Sequence, residues 1–160
     1  MKKDIFIDNN IACKFSNPQD KEYIKLTTWL LKYNQGDKAN IENYAHLVVS
    51  KKILNEYLSS ARGALCNTSI PMIINKLLSE GRLIFINNEQ IKAFKSKFYT
   101  KLVLKKLRSN MEDREHIPLV LLSDRKFALT YDDNLIFDLK SFTRFNVRVE
   151  KRPENIPYSK

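Results

Sequence analysis

Short apolar runs alternate with helix-period segments along the whole chain, and this alternation restricts the possible folds most. The runs are Ile5-Phe6-Ile7, Leu47-Val48-Val49, Leu83-Ile84-Phe85-Ile86 and Phe127-Ala128-Leu129-Thr130. Each is short, rich in β-branched or aromatic residues and bounded by turn formers, as buried strands are. Between them, apolar residues recur at spacings of three and four. Tyr23, Leu26, Trp29, Leu30 and Tyr33 mark a helix over 20–33. Ile53, Leu54, Tyr57 and Leu58 mark a second, capped by Ser50, that ends at Arg62-Gly63. Ile73, Ile74, Leu77 and Leu78 mark a third. Ile91, Phe94, Phe98, Leu102 and Leu107 predict one long helix opened by Asn87 or Asn88. A short helix follows over 112–122, and Val147 and Val149 fit a last edge strand.

Strands alternating with helices predict an α/β fold, a three-layer sandwich with a central, mainly parallel sheet of four or five strands. At 160 residues the chain fits one domain, residues 1–150. The end of the chain, residues 151–160 with two prolines, reads as a loosely held tail.

Four acids share one expected location. Asp8 ends the first strand, Glu56 lies on the helix after the second, Asp113 opens the helix before the fourth, and Asp132 follows the fourth. Ligands of open parallel sheets bind outside the carboxyl ends of the strands. Gathered there, the four carboxylates would repel one another, and a hard divalent cation such as Mg²⁺ or Mn²⁺ is the usual relief. The competing account is local: each acid caps a helix or sits in a turn.

The net charge of +10 points to an anionic partner, with nucleic acid the first candidate. The densest basic stripe is Lys92, Lys95, Lys97, Lys101, Lys105, Lys106 and Arg108. Lys95, Lys101 and Lys105 stand as nucleic-acid contacts. The stripe equally fits a solvated face or a dock for an acidic protein. Cys13 and Cys66 form no CxxC motif and lie far from His46 and His116, so no zinc site is expected. No signal peptide or membrane span is legible, and two lone cysteines suit the cytoplasm.

On three stretches the chain resembles the PIN domain family, metal-dependent nucleases that include the VapC toxins of toxin–antitoxin pairs. They are Ile5-Phe6-Ile7-Asp8-Asn9-Asn10, Leu47-Val48-Val49-Ser50 with Glu56 six residues on, and Asp113-Arg114-Glu115-His116-Ile117 leading to Thr130-Tyr131-Asp132. The resemblance spans roughly residues 3–140. It implies Mg²⁺ or Mn²⁺ held by Asp8 and Asp132, completed by Glu56 and Asp113, and cleavage of single-stranded RNA to a 3′-hydroxyl and a 5′-phosphate. Asn10 and Thr130 would orient ligands or water, and Asp133 could exchange roles with Asp132. The family's third acid stands two residues before the His, where this chain has Arg114. Asp113 and Glu115 flank that position. His116 reads as a packing or capping residue. As a toxin the protein would need an antitoxin protein, and a homodimer is allowed. The other function in view is a catalytically inactive PIN-like module that binds RNA or protein.

Overall fold

A computed structural model describes residues 1–15, 19–62 and 69–160. The Ser16-Asn17-Pro18 break, Gly63 and Cys66 lie outside the described residues. Five strands form one sheet: β1 (Lys3–Ile7), β2 (Ala45–Val49), β3 (Leu83–Phe85), β4 (Phe127–Leu129) and β5 (Arg148–Glu150). Their order is β3-β2-β1-β4-β5, and every neighbouring pair is parallel. All five residues of β2 are buried, as a strand covered on both faces requires.

The helices make the outer layers. α1 (Asn9–Ala12), α2 (Lys21–Leu31), α3 (Lys51–Ala61) and α4 (Ser69–Ser79) contact one another along the walk from β1 out to β3. α5 (Asn88–Phe98), α6 (Lys101–Lys106) and α7 (Ile117–Leu122) then carry the chain back to β4. α7 packs against α5, β1, β2 and α8 (Asp133–Ser141). Right-handed crossovers place these two groups on opposite faces, which is the expected three-layer arrangement.

Local chemistry sets the boundaries. Asp20 caps α2, Ser50 caps α3 and Asn87 caps α5 in a reciprocal capping box with Gln90. Gly81, at φ +70°, makes the turn from α4 into β3, a backbone conformation that glycine adopts without strain.

Four expectations need correction. The long helix expected through Leu107 is two helices. It stops at Tyr99, whose hydroxyl donates to the Arg114 carbonyl at 2.6 Å, and restarts from Thr100, which caps α6. Leu102 therefore stands 71% exposed instead of facing inwards. Leu58 and Leu78 also lie outside the core, because α3 and α4 bury a narrower stripe than their apolar residues would allow. The region 112–122 is a 3-10 turn, Asp113–His116, running into α7. Finally, the tail is held. Ile156 and Tyr158 are buried, the ring of Tyr158 packs on Trp29, and Arg125 Nη1 donates to the Tyr158 carbonyl at 2.8 Å. Arg152 grips Asp20 with two guanidinium nitrogens, at 2.7 and 3.1 Å. Deleting residues 153–160 should therefore lower stability by roughly 3 kcal/mol or more, from two buried side chains at about 1.5–3 kcal/mol each. Urea denaturation of the shortened chain measures this; an unchanged midpoint would return the tail to a loose one.

Candidate metal centre

The chain leaves β1 and β4 in opposite directions, so a crevice opens between their carboxyl ends. Their register pairs Ile7 with Leu129, and the Asp8 N–H continues the ladder to the Leu129 carbonyl at 2.9 Å. Asp8 and Thr130 thus meet side by side. The Thr130 hydroxyl donates to Asp8 Oδ2 at 2.6 Å and accepts the Asp132 N–H at 3.1 Å. Asn10 Nδ2 donates to the same Asp8 oxygen at 3.2 Å, while its Oδ1 accepts the Tyr131 N–H at 3.1 Å. Asp8 Oδ1 accepts the Asn9 N–H at 2.7 Å, capping α1. Asn10 and Thr130 thus orient Asp8 and tie the β4–α8 loop to it.

The other groups arrive from both layers. Glu56, one and a half turns into α3, reaches back over the sheet edge, where Lys52 Nζ stands 3.6 Å from Oε1. His116, 1% exposed and packed near the Phe6 ring, places Nε2 at 3.1 Å from Glu56 Oε2. Ligand atoms of Asp8, Glu56 and His116 all lie within 4.8 Å of one another, so this group could hold a metal ion. Asp113 stands near enough to Asp132 and Asp8 to feel the charge of both, but neither Asp113 nor Asp132 belongs to the trio.

The electrostatics record the crowding. Burial, reinforced by Glu56, pushes the Asp8 carboxyl above its ordinary value despite the Thr130 hydroxyl, the charge of His116 and the Asn9 N–H. Burial and the charges of Asp132 and Asp8 raise Asp113, against the opposing charge of His116. Glu56 is lowered: burial works against its charge, but His116 and Lys52 prevail. Asp8 and Asp113 thus carry their charge at a cost that a bound cation would relieve.

His116 packs as expected, buried beside the Phe6 ring, but it makes no side-chain cap and it also lies inside the cluster. Its Nδ1 is buried without a partner. The other ring nitrogen, Nε2, meets the Glu56 carboxylate. Asp8, Glu56 and His116 each offer one ligand atom to the cluster.

Two of the sequence candidates point elsewhere. Glu115 pairs with Lys95, whereas Asp113 faces the charges of Asp132 and Asp8. Asp133, 81% exposed, pairs with Lys151 at 2.7 Å and does not exchange with Asp132. Asp132 itself also caps α8, accepting the N–H groups of Asn134 and Leu135, so its local account holds alongside the shared one. Lys101 and Lys105 sit on α6, and Lys95 is already engaged by Glu115.

An open cleft of about 560 Å³ adjoins Glu56, lined among others by Lys51, Lys52, Asn55, Ser60 and Asn88. The sequence held one clue to it. Lys51 occupies the first turn of α3, where positive charge opposes the helix dipole, and it has no ion-pair partner among the described residues. No family model, curated protein or solved structure matches this chain.

Proposed function

We propose that this chain is a metal-dependent endoribonuclease of PIN type that hydrolyses single-stranded RNA in the cytoplasm, with Mg²⁺ or Mn²⁺ on Asp8 and Glu56 and with Asp113 and Asp132 beside them. The observation that carries this reading is the convergence of Asp8, Glu56 and His116 at the carboxyl edge of β1, next to a second acid pair. A bound divalent ion would supply charge to phosphate oxygens and acidify a water molecule. The chain's own residues do the rest. Thr130 and Asn10 hold Asp8 in one orientation. His116 holds Glu56, and Lys51 and Lys52 offer cations to the phosphates of a strand lying in the cleft.

The test is cleavage of a fluorescent single-stranded RNA with Mn²⁺ by the wild type, Asp8→Asn and Asp132→Asn. Metal-dependent cleavage lost in both variants supports the nuclease. Salt-sensitive RNA binding by an inactive wild type would instead identify a PIN-like binding module. Lys51→Glu should weaken RNA binding about tenfold or more and reduce its salt slope by roughly one or two, since a cation is replaced by an anion. The same change at Lys101 should leave RNA binding nearly unaltered. Fluorescence anisotropy at several salt concentrations separates the two.

His116 has its own prediction. His116→Ala should weaken Mn²⁺ binding by about 10–100-fold, as loss of an outer partner does. His116→Gln keeps a donor near Glu56 and should recover most of that loss. Calorimetry reads the affinities, and the Mn²⁺ spin-echo spectrum of the wild type should lack a directly bonded nitrogen. A strong nitrogen coupling would make His116 a ligand instead.

A further inference from the structure

We infer that the groove between α5, α6 and the end of α8 is a docking site for an acidic amphipathic segment of a partner protein. This goes beyond the nuclease reading and does not depend on it. α5 and α8 begin at the carboxyl edge of the sheet, and the groove lies where both end, away from the metal centre. It encloses about 390 Å³, and Phe98, Val103, Phe142 and Phe145 line it beside Lys97 and Arg144. α6 forms its wall without burying a single residue. On the same helix, flanking the lining residue Val103, Leu102 is 71% exposed and Leu104 37%. Val103 is the one residue of this helix packed against the core, which leaves Leu102 free to meet a partner.

Charge chooses the occupant. Residues 91–111 carry seven Lys and Arg, and residues 139–149 carry three, with no Asp or Glu in either stretch. Among the described residues, none of Lys97, Lys101, Lys105, Lys106 and Arg144 forms an ion pair. A second copy of the chain would bring the same charge and be repelled. An anionic lipid surface is flat and cannot enter a groove. Single-stranded RNA needs open ring faces on which bases stack. Here Phe98 and Phe145 meet edge to face at 72°, as do Phe142 and Phe145 at 73°, and the leucines offer no stacking. A helix or turn with two apolar residues three or four apart and carboxylates around them satisfies both the groove and its rim.

The experiment pans a displayed library of random dodecapeptides against the full-length protein. Enriched peptides should be acid-rich with apolar residues at helical spacing. A synthetic copy of one, followed by fluorescence anisotropy, should bind at least tenfold more weakly to Leu102→Asp and to Lys101→Glu. Its affinity should fall with salt and be unchanged by Asp8→Asn. Leu102 is exposed, so its variant should fold, which circular dichroism checks; Lys101→Glu gives a second reading that leaves the apolar residues in place. The inference is overturned if enrichment ignores Leu102→Asp or yields sequences without acids. It is also overturned if a single-stranded RNA, an anionic phosphatidylglycerol vesicle or self-association is what Leu102→Asp abolishes.

Discussion

Asp8→Asn should reduce Mn²⁺-dependent RNA cleavage by roughly a thousandfold or more, corresponding to about 4 kcal/mol of transition-state stabilisation, with little change in fold stability. The large effect follows from position. Asp8 is the one acid that shares the ligand trio with Glu56 and is also felt by Asp113. The small effect on folding follows from what Asn keeps. Asn ranks with Asp as a helix cap, so the bond from the Asn9 N–H survives. The Thr130 hydroxyl can reverse and accept from the new amide. The variant also loses a carboxylate that burial and Glu56 destabilise in its charged form.

That raised value fixes the pH dependence. A carboxyl raised on folding binds its proton more tightly in the folded chain than in the unfolded one. Asp8 and Asp113 therefore lower stability as the pH climbs from their ordinary 3.8 through their raised values. Asp8→Asn should flatten this part of the stability profile. Metal should reverse it at neutral pH: at a Mn²⁺ concentration a hundred times Kd, the gain is about 2.7 kcal/mol. Thermal denaturation with and without Mn²⁺ reads it directly. A wild-type melting temperature unmoved by Mn²⁺, or full cleavage by Asp8→Asn with metal still required, would remove Asp8 from the centre.

What the sequence disclosed was local. A three-residue apolar run that ends in Asp8, and a second that ends in Ser50, identify strands and their carboxyl ends from neighbours alone. Parallel alternation then places Glu56 and Asp132 at the same edge. Where the outcome depends on phase, periodicity no longer helps. Asp113 and Glu115 stand two apart, and the 3-10 winding of the turn, not the sequence, turns one towards Asp132 and the other to Lys95. His116 packs beside Phe6 as expected, and the same turn also sets it on Glu56, which no local pattern signalled. The break at Thr100 was hidden because Phe94, Phe98 and Leu102 keep helical spacing across it. The tail's prolines suggested looseness, while Ile156 and Tyr158 supplied the burial that holds it.

Arg82 left no trace in the pattern of the sequence, and its removal should have the largest effect on folding. Its side chain is fully buried just before β3, where Nη1 donates to the carbonyls of Leu30 and Ala45, both at 2.8 Å. Nε donates to Glu80 Oε2 at 3.0 Å, Nη2 closes the same pair, and the Tyr33 ring lies 5.1 Å from the guanidinium carbon. One cation thus ties α2, β2 and the α4–β3 turn together. Arg82→Met preserves length and apolar contact but strands two backbone carbonyls and one side of Glu80. Breaking a buried pair from one side costs about 3–5 kcal/mol. Lys76, at 2.7 Å from the other Glu80 oxygen, favours the lower end of that range. Removing Glu80 as well, in Arg82→Met with Glu80→Met, should recover only part of the loss, because the Leu30 and Ala45 carbonyls stay without a donor. Burial raises the Glu80 carboxyl, but Lys76 and Arg82 prevail and hold it below its ordinary 4.5. Its contribution is therefore present above pH 4.5 and lost on acidification, and Arg82→Met should lose less stability than the wild type below that pH. Urea denaturation across pH tests both parts: a loss under about 1 kcal/mol at neutral pH would mean that water reaches these carbonyls.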